Sequence, residues 1–277
     1  MRYEAAALVS GPVLLPPRRP PRRRAARRVA GGPGRAARGG GATGARRRGR
    51  ARAAKPYTQS ATWVYGRTAQ GRDLVAYRVG NYDAKFTAMV VVGMHGNERG
   101  VNGIATGLRE LAAQGRFTAV DLWIVPAYNP DGLVVNRRQN SRGVDLNRNF
   151  PQNWRPLTGN YYAGNQAASE VETHSFMKVL DRARPDLLLS FHQPLNGVDI
   201  DTKYPSWSRY VAEGLNLPLK NFNCGGVCSG TMTGWYNARY PGIAMTVEYG
   251  AKPDATYMRT YAPRRVAALF QRAGGAS

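Results

Sequence analysis

From Pro56 onward the apolar positions follow two rhythms. Runs over 73–79, 86–94, 122–125, 187–191 and 243–247 read as strands, and the run from Phe86 to Met94 is apolar enough for a strand buried on both faces of a sheet. Between them, 100–113 and 167–183 carry helical spacing, and the stretch from Asp254 reads as a helix interrupted at Pro263. Ser169 and Glu172 have the spacing of a capping box at the start of the second helix. A long polar stretch from Asn129 to about Gln166 reads as a loop. Strand and helix patterns in alternation predict an α/β layer fold, and no internal repeat is visible.

Length and charge divide the chain. Its 277 residues and 43% hydrophobic content suffice for one large α/β domain. The formal net charge is +23, but residues 1–55 hold fifteen Arg and Lys55 against the single acid Glu4 and so contribute +15 of it. From Pro16 to Lys55 the sequence is almost entirely Arg, Pro, Gly and Ala, which predicts disorder because so little apolar surface can be buried. Three origins stay open for residues 1–55: a phosphate-contacting arm, a degraded export signal, or an over-extended start. The first lacks any aromatic base-stacking platform, so no specific nucleic acid is expected. No apolar run is long enough to cross a bilayer as a helix. Two cysteines exclude a disulfide-rich mini-fold and a four-Cys zinc module. The expected organisation is a tail over 1–55 and one domain over 56–277.

The chain has three histidines. His95 and His192 each follow a buried strand, where open α/β sheets place their ligand sites, whereas His174 sits among polar residues of a helix and reads as surface. Glu98 lies three residues past His95. Two histidines and a carboxylate are the protein ligands that a catalytic zinc uses, with one position left for water. Satisfied histidines beside a surface glutamate are the bland alternative. Between the two histidines, the segment from Arg138 to Pro151 concentrates guanidiniums and amides that can grip a carboxylate. The last strand ends in Thr246-Val247-Glu248, an acid costly to bury unless it is used or paired.

Together, His95-x-x-Glu98, Asn129-Pro130-Asp131-Gly132, the run from Gly143 to Phe150, Ser190-Phe191-His192 and Thr246-Val247-Glu248 resemble the M14 family of zinc carboxypeptidases. The match runs from about Tyr65 to Gly250. The resemblance implies a single-domain zinc-carboxypeptidase-like α/β fold, a mixed central β-sheet flanked by helices. It implies one Zn2+ per chain held by His95, Glu98 and His192. Asp145 falls where the family has an acid bonded to the first ligand histidine. Asn147 and Arg148 match the pair that grips the substrate's terminal carboxylate, Arg138 the arginine that stabilises the oxyanion, and Glu248 the general base.

The sequence departs from the family at two places. Where many members carry a mobile tyrosine, this chain has Gly226, and Tyr236 and Tyr240 are only neighbouring substitutes. At the base of the specificity pocket stands Thr233, whose lack of charge argues against a preference for C-terminal Lys or Arg. Residues 1–55 cannot supply a folded inhibitory prodomain.

The stretches 192–199 and 224–235 look like the bacterial branch that includes murein peptide amidases, which cut between γ-D-glutamate and meso-diaminopimelate. That implies a peptide or muropeptide substrate and a secreted or cell-envelope location, or a cytoplasmic one if the tail is no export signal. In an exported protein, Cys224 and Cys228 are expected to close a small disulfide loop. A monomer is expected. The alternatives are a broad metallocarboxypeptidase acting on neutral or apolar C-terminal residues and, outside enzymes, a polyanion-binding protein with an inert domain.

Overall fold

The computed structural model describes residues 59–223 and 227–275. The Arg-rich tail, with its expected disorder, lies outside the described residues, as do Cys224 and Gly226. Eight strands form one mixed sheet: β1 (Gln59–Arg67), β2 (Asp73–Gly80), β3 (Phe86–Val92), β4 (Val120–Val125), β5 (Leu187–His192), β6 (Leu195–Asp199), β7 (Leu219–Lys220) and β8 (Ile243–Gly250). Their order across the sheet is β1-β2-β4-β3-β5-β8-β6-β7. The four central strands β4, β3, β5 and β8 run parallel, while β2 and β6 flank them antiparallel.

Alternation along the central strands feeds two apolar layers. Val90 and Val92 of β3, Leu189 and Phe191 of β5, and Met245 and Val247 of β8 meet the helices α1 (Gly103–Ala113), α4 (Pro205–Leu215) and α6 (Ala262–Ala273). Met89 and Val91, Leu188, and Ala244 point the other way, onto α3 (Val171–Ala183) and α5 (Met232–Arg239). Covering both faces is what makes these strands apolar at nearly every position. The chain leaves β3 through α1 to β4 on one side, then crosses through α3 to β5 on the other. The C-terminal ends of β3 and β5 therefore form a topological switch point, the crevice in which such sheets bind ligands.

One expectation is corrected. Ser169 and Glu172 make no capping box: Ser169 Oγ accepts from Asn149 and donates to Glu170, Glu172 is buried, and α3 begins only at Val171, after Glu170. The C-terminal stretch is helical from 255, with Asp254 accepting from the Tyr257 amide at its start, and the α pattern is broken just before Pro263, which stands in the first turn of α6. The turn before it, Tyr257–Tyr261, is a π-turn. In the predicted polar loop the short helix α2 (Pro130–Val134) forms, capped by Asn129, whose side chain accepts from the Gly132 amide.

Candidate active site

The turn after β3 brings His95 and Glu98 to the end of β5, where His192 is the last residue. Nδ1 of His95 lies 2.7 Å from one Glu98 oxygen, and Nδ1 of His192 lies 2.8 Å from the other. All three residues are buried, and their ligand atoms lie within 4.8 Å of one another. The outer nitrogens are engaged as well: His95 Nε2 meets Asp145 at 3.1 Å and His192 Nε2 meets Ser190 Oγ at 2.9 Å. Both rings are thus held with Nδ1 facing one point beside a carboxylate. Two imidazole nitrogens and a carboxylate, each oriented from behind, suit a catalytic zinc.

Close backbone contact fixes this turn. A Cβ on Gly96 would lie 2.0 Å from the Gly132 carbonyl carbon, so only glycine fits against α2. Asn129 also donates to the Arg138 carbonyl, and Asp131 accepts from Thr68, Arg72 and Ser141. The Asn129–Gly132 motif is therefore a set of ties between the metal-site turn, the β1–β2 hairpin and the loop that follows.

Asp145 is the hub of that loop. Fully buried, it accepts from His95 and the Asn147 amide through Oδ1 and from Arg138 Nε and Nη2, at 3.1 and 2.8 Å, through Oδ2. Burial opposes its charge, but His95 and the two arginines outweigh this and hold its carboxyl below the usual range. Glu98 is likewise pulled down, against its burial, by the two imidazoles. Arg138 Nη1 stands 3.7 Å from Glu98, at the edge of the three-residue cluster.

Arg148 differs from Arg138. It is buried, its Nη1 donates to the Asn147 carbonyl, and its Nε has no hydrogen-bond partner among the described residues. Burial lowers its pKa although Asp145 works the other way. Asn147 is held by its Oδ1, which accepts from the Met232 amide at the start of α5. Behind Arg148, Gly230 has φ +62°, and a Cβ there would lie 2.2 Å from the Arg148 carbonyl oxygen.

These side chains line one cavity of about 710 Å³, with Thr233 and Cys228 also in its wall. Glu248 faces it from β8, paired in register with His192. Its Oε2 accepts from the Leu195 amide, and burial raises its pKa. The Cys224–Cys228 pairing involves a residue outside the described ones. His174 is exposed, as expected. Tyr236 and Tyr240 stack on each other and spend their hydroxyls on the Pro185 carbonyl and Asp181, so neither serves the cavity. Tyr161 does: its ring lies 5.4 and 5.1 Å from the guanidinium carbons of Arg138 and Arg148. Ser190 entered the sequence reading only as part of the Ser190-Phe191-His192 motif, and Tyr161 and Asp199, another wall residue, escape it because nothing in their local spacing marks them.

Comparison with known proteins gives this geometry its context. A model of the zinc carboxypeptidase family, peptidase M14, matches residues 51–196. Murein peptide amidase A of Escherichia coli (strain K12) is 30% identical over 185 residues, covering 61% of this chain and 74% of that protein. The crystal structure of murein-tripeptide amidase from Escherichia coli O157 shares the fold with a TM-score of 0.58 at 23% identity, covering 76% of this chain and 91% of that one. Carboxypeptidase A from Helicoverpa armigera does so with a TM-score of 0.67 at 17% identity, covering 79% and 69%. The chain belongs to the M14 zinc carboxypeptidase family and is a hydrolytic enzyme.

Proposed function

We propose that residues 56–277 form a zinc-dependent exo-acting peptide hydrolase that cleaves the γ-D-Glu–meso-diaminopimelate bond of murein peptides. The observation that carries the exo-acting part is Arg148, a buried guanidinium with an unpartnered Nε at a cavity wall beside the His95–Glu98–His192 cluster. A guanidinium in that state calls for an anion, and a carboxylate on the residue being released supplies one. Diaminopimelate offers such a group, because its centre on the leaving side carries a free carboxylate. The murein part is supported by the similarity to murein peptide amidase A.

His95, Glu98 and His192 would hold the zinc, which when bound supplies Lewis-acid chemistry that makes water a nucleophile near neutral pH. Glu248 takes a proton from the attacking water and returns it to the leaving amine. Its burial raises its pKa, which makes it a better base than an exposed carboxylate. Arg138 stabilises the negative charge developing on the carbonyl oxygen, and its bidentate bond to Asp145 keeps it aimed without reorganisation. Arg148 and Asn147 clamp the terminal carboxylate, and the Tyr161 ring lies against both guanidiniums.

The test compares L-Ala–γ-D-Glu–meso-diaminopimelate with the same peptide amidated at the carboxylate beside the scissile bond. Amidation leaves Arg148 buried without its anion, so turnover should fall at least ~100-fold. Equal rates would defeat the exo-acting reading. Faster cleavage of ordinary peptides ending in apolar residues would favour a broad carboxypeptidase instead.

A further inference from the structure

The cavity wall holds two carboxylates that the proposed chemistry does not use, Asp199 and Asp201, and of these Asp201 is exposed whereas Asp199 is half-buried. Asp199 ends β6, the strand antiparallel to β8. Gly197 pairs with Glu248 and Val198 with Val247, so Asp199 is the next position along. Val198 and Val247 are both buried in the apolar layer beneath α4 and α6. Strand alternation therefore puts Asp199 on the same face as Glu248, and both residues line the cavity. Diagonal neighbours in an antiparallel pair stand about 7–8 Å apart.

Asp199 is half-buried and lacks a compensating charge. Its Oδ1 accepts from the Asp201 amide at 3.1 Å, and among the described residues no Lys, Arg or His forms an ion pair with it. Lys220, its register partner on β7, donates through Nζ to the Leu195 carbonyl, and Lys203 in the wall donates through Nζ to the Tyr240 carbonyl. Burial, the largest influence on Asp199, raises its pKa above that of an ordinary aspartate. A carboxylate held by backbone amides, facing a cavity and short of a cation, is arranged to receive one.

We propose that Asp199 is a specificity-determining residue that binds an ammonium group at the far end of the side chain of the residue being released. This deepens the hydrolase reading above and rests on it. The geometry suits the length of such a side chain. In lysine and in diaminopimelate alike, five single bonds separate the α-carbon from the distal nitrogen, a reach of about 6 Å when extended. With the scissile amide at Glu248, that nitrogen arrives at Asp199. The cavity is therefore not neutral as Thr233 alone suggests, because its charge is set from β6 rather than from α5.

The test uses zinc-loaded full-length protein and two matched substrate pairs. In one, L-Ala–γ-D-Glu–meso-diaminopimelate is set against the same peptide ending in 2-aminopimelate, which lacks only the distal amino group. In the other, an N-acyl dipeptide ending in lysine is set against one ending in norleucine. The wild-type protein should show a kcat/KM at least ~10-fold higher for the amino member of a pair that it cleaves, a modest ratio because Asp199 is only half-buried. In Asp199→Asn that ratio should fall to near one, with zinc content and thermal midpoint retained. Preference confined to the first pair identifies diaminopimelate as the source of the ammonium, and preference in the second identifies lysine. If the murein peptides are not cut at all, the bond assignment fails, and the lysine pair still decides the role of Asp199. A wild-type ratio near one in every cleaved pair, or an unchanged ratio in Asp199→Asn, would overturn the proposal.

Discussion

Replacing Asp145 by Asn keeps the shape of the side chain and removes its charge. The native carboxylate makes four hydrogen bonds from a fully buried position, two of them to one guanidinium. An amide has one oxygen and one NH2 group, so one of its ends must confront a donor. If the NH2 faces Arg138, both charge-assisted bonds are lost, each worth about 1.5–3 kcal/mol. If it faces His95, the imidazole loses its orienting acceptor. Arg138 retains some exposure and recovers part of its solvation, so the expected loss of stability is about 3 kcal/mol, the lower end for breaking a buried pair. Urea unfolding of the metal-free variant reads this term. A competition titration with a zinc chelator reads the second effect, a 10- to 100-fold weaker zinc affinity as His95 loses its support. Stability within ~1 kcal/mol of wild type together with unchanged zinc affinity would refute the hub role.

Glu172→Gln tests a buried acid beneath the active-site loop, linked to Asn140 of that loop. Burial first, then the charges of Glu170 and Asp131, push the Glu172 pKa up to about 7 from a usual 4.5. An acid with a raised folded-state pKa favours folding fully below the unfolded value and loses that contribution as pH rises to the folded one. Wild-type stability should therefore fall by about 3 kcal/mol relative to the Gln variant between pH 4.5 and 7, measured by urea unfolding at several pH values; parallel profiles would contradict this. Gly96→Ala should cost upwards of ~2 kcal/mol and weaken zinc binding, because its Cβ meets the Gly132 backbone; a thermal midpoint equal to wild type would show that α2 yields freely.

The strands that carry the site were legible because they are buried on both faces, and β3, β4, β5 and β8 all lie where the apolar runs put them. His95, Glu98 and His192 sit beside those runs, so their places marked them as candidate ligands, and it was the joint resemblance of the motifs that singled them out. Other parts were not legible, for physical reasons that can be named. Strand β1 is largely exposed and paired on one side only, and β6 is a five-residue strand interrupted by an Asn-Gly pair, so neither shows an apolar run. The capping box failed because Ser169 is claimed by Asn149, twenty residues away in the chain. Asp131 is written like a loop acid, and only the fold reveals that it joins Thr68, Arg72 and Ser141. Asp199 and Tyr161 gain their meaning from cross-strand register and from a loop folding back, neither of which leaves a trace in sequence spacing.

In the proposed reaction Glu248 moves the proton at the His95–Glu98–His192 site. Glu248→Gln preserves volume and the acceptor for the Leu195 amide while removing the base. The deciding measurement is single-turnover hydrolysis of the murein tripeptide by zinc-loaded Glu248→Gln, with bound zinc determined on the same sample. The expected result is about one zinc per chain and a rate lowered by at least ~100-fold. Full zinc occupancy with near-normal turnover would contradict it.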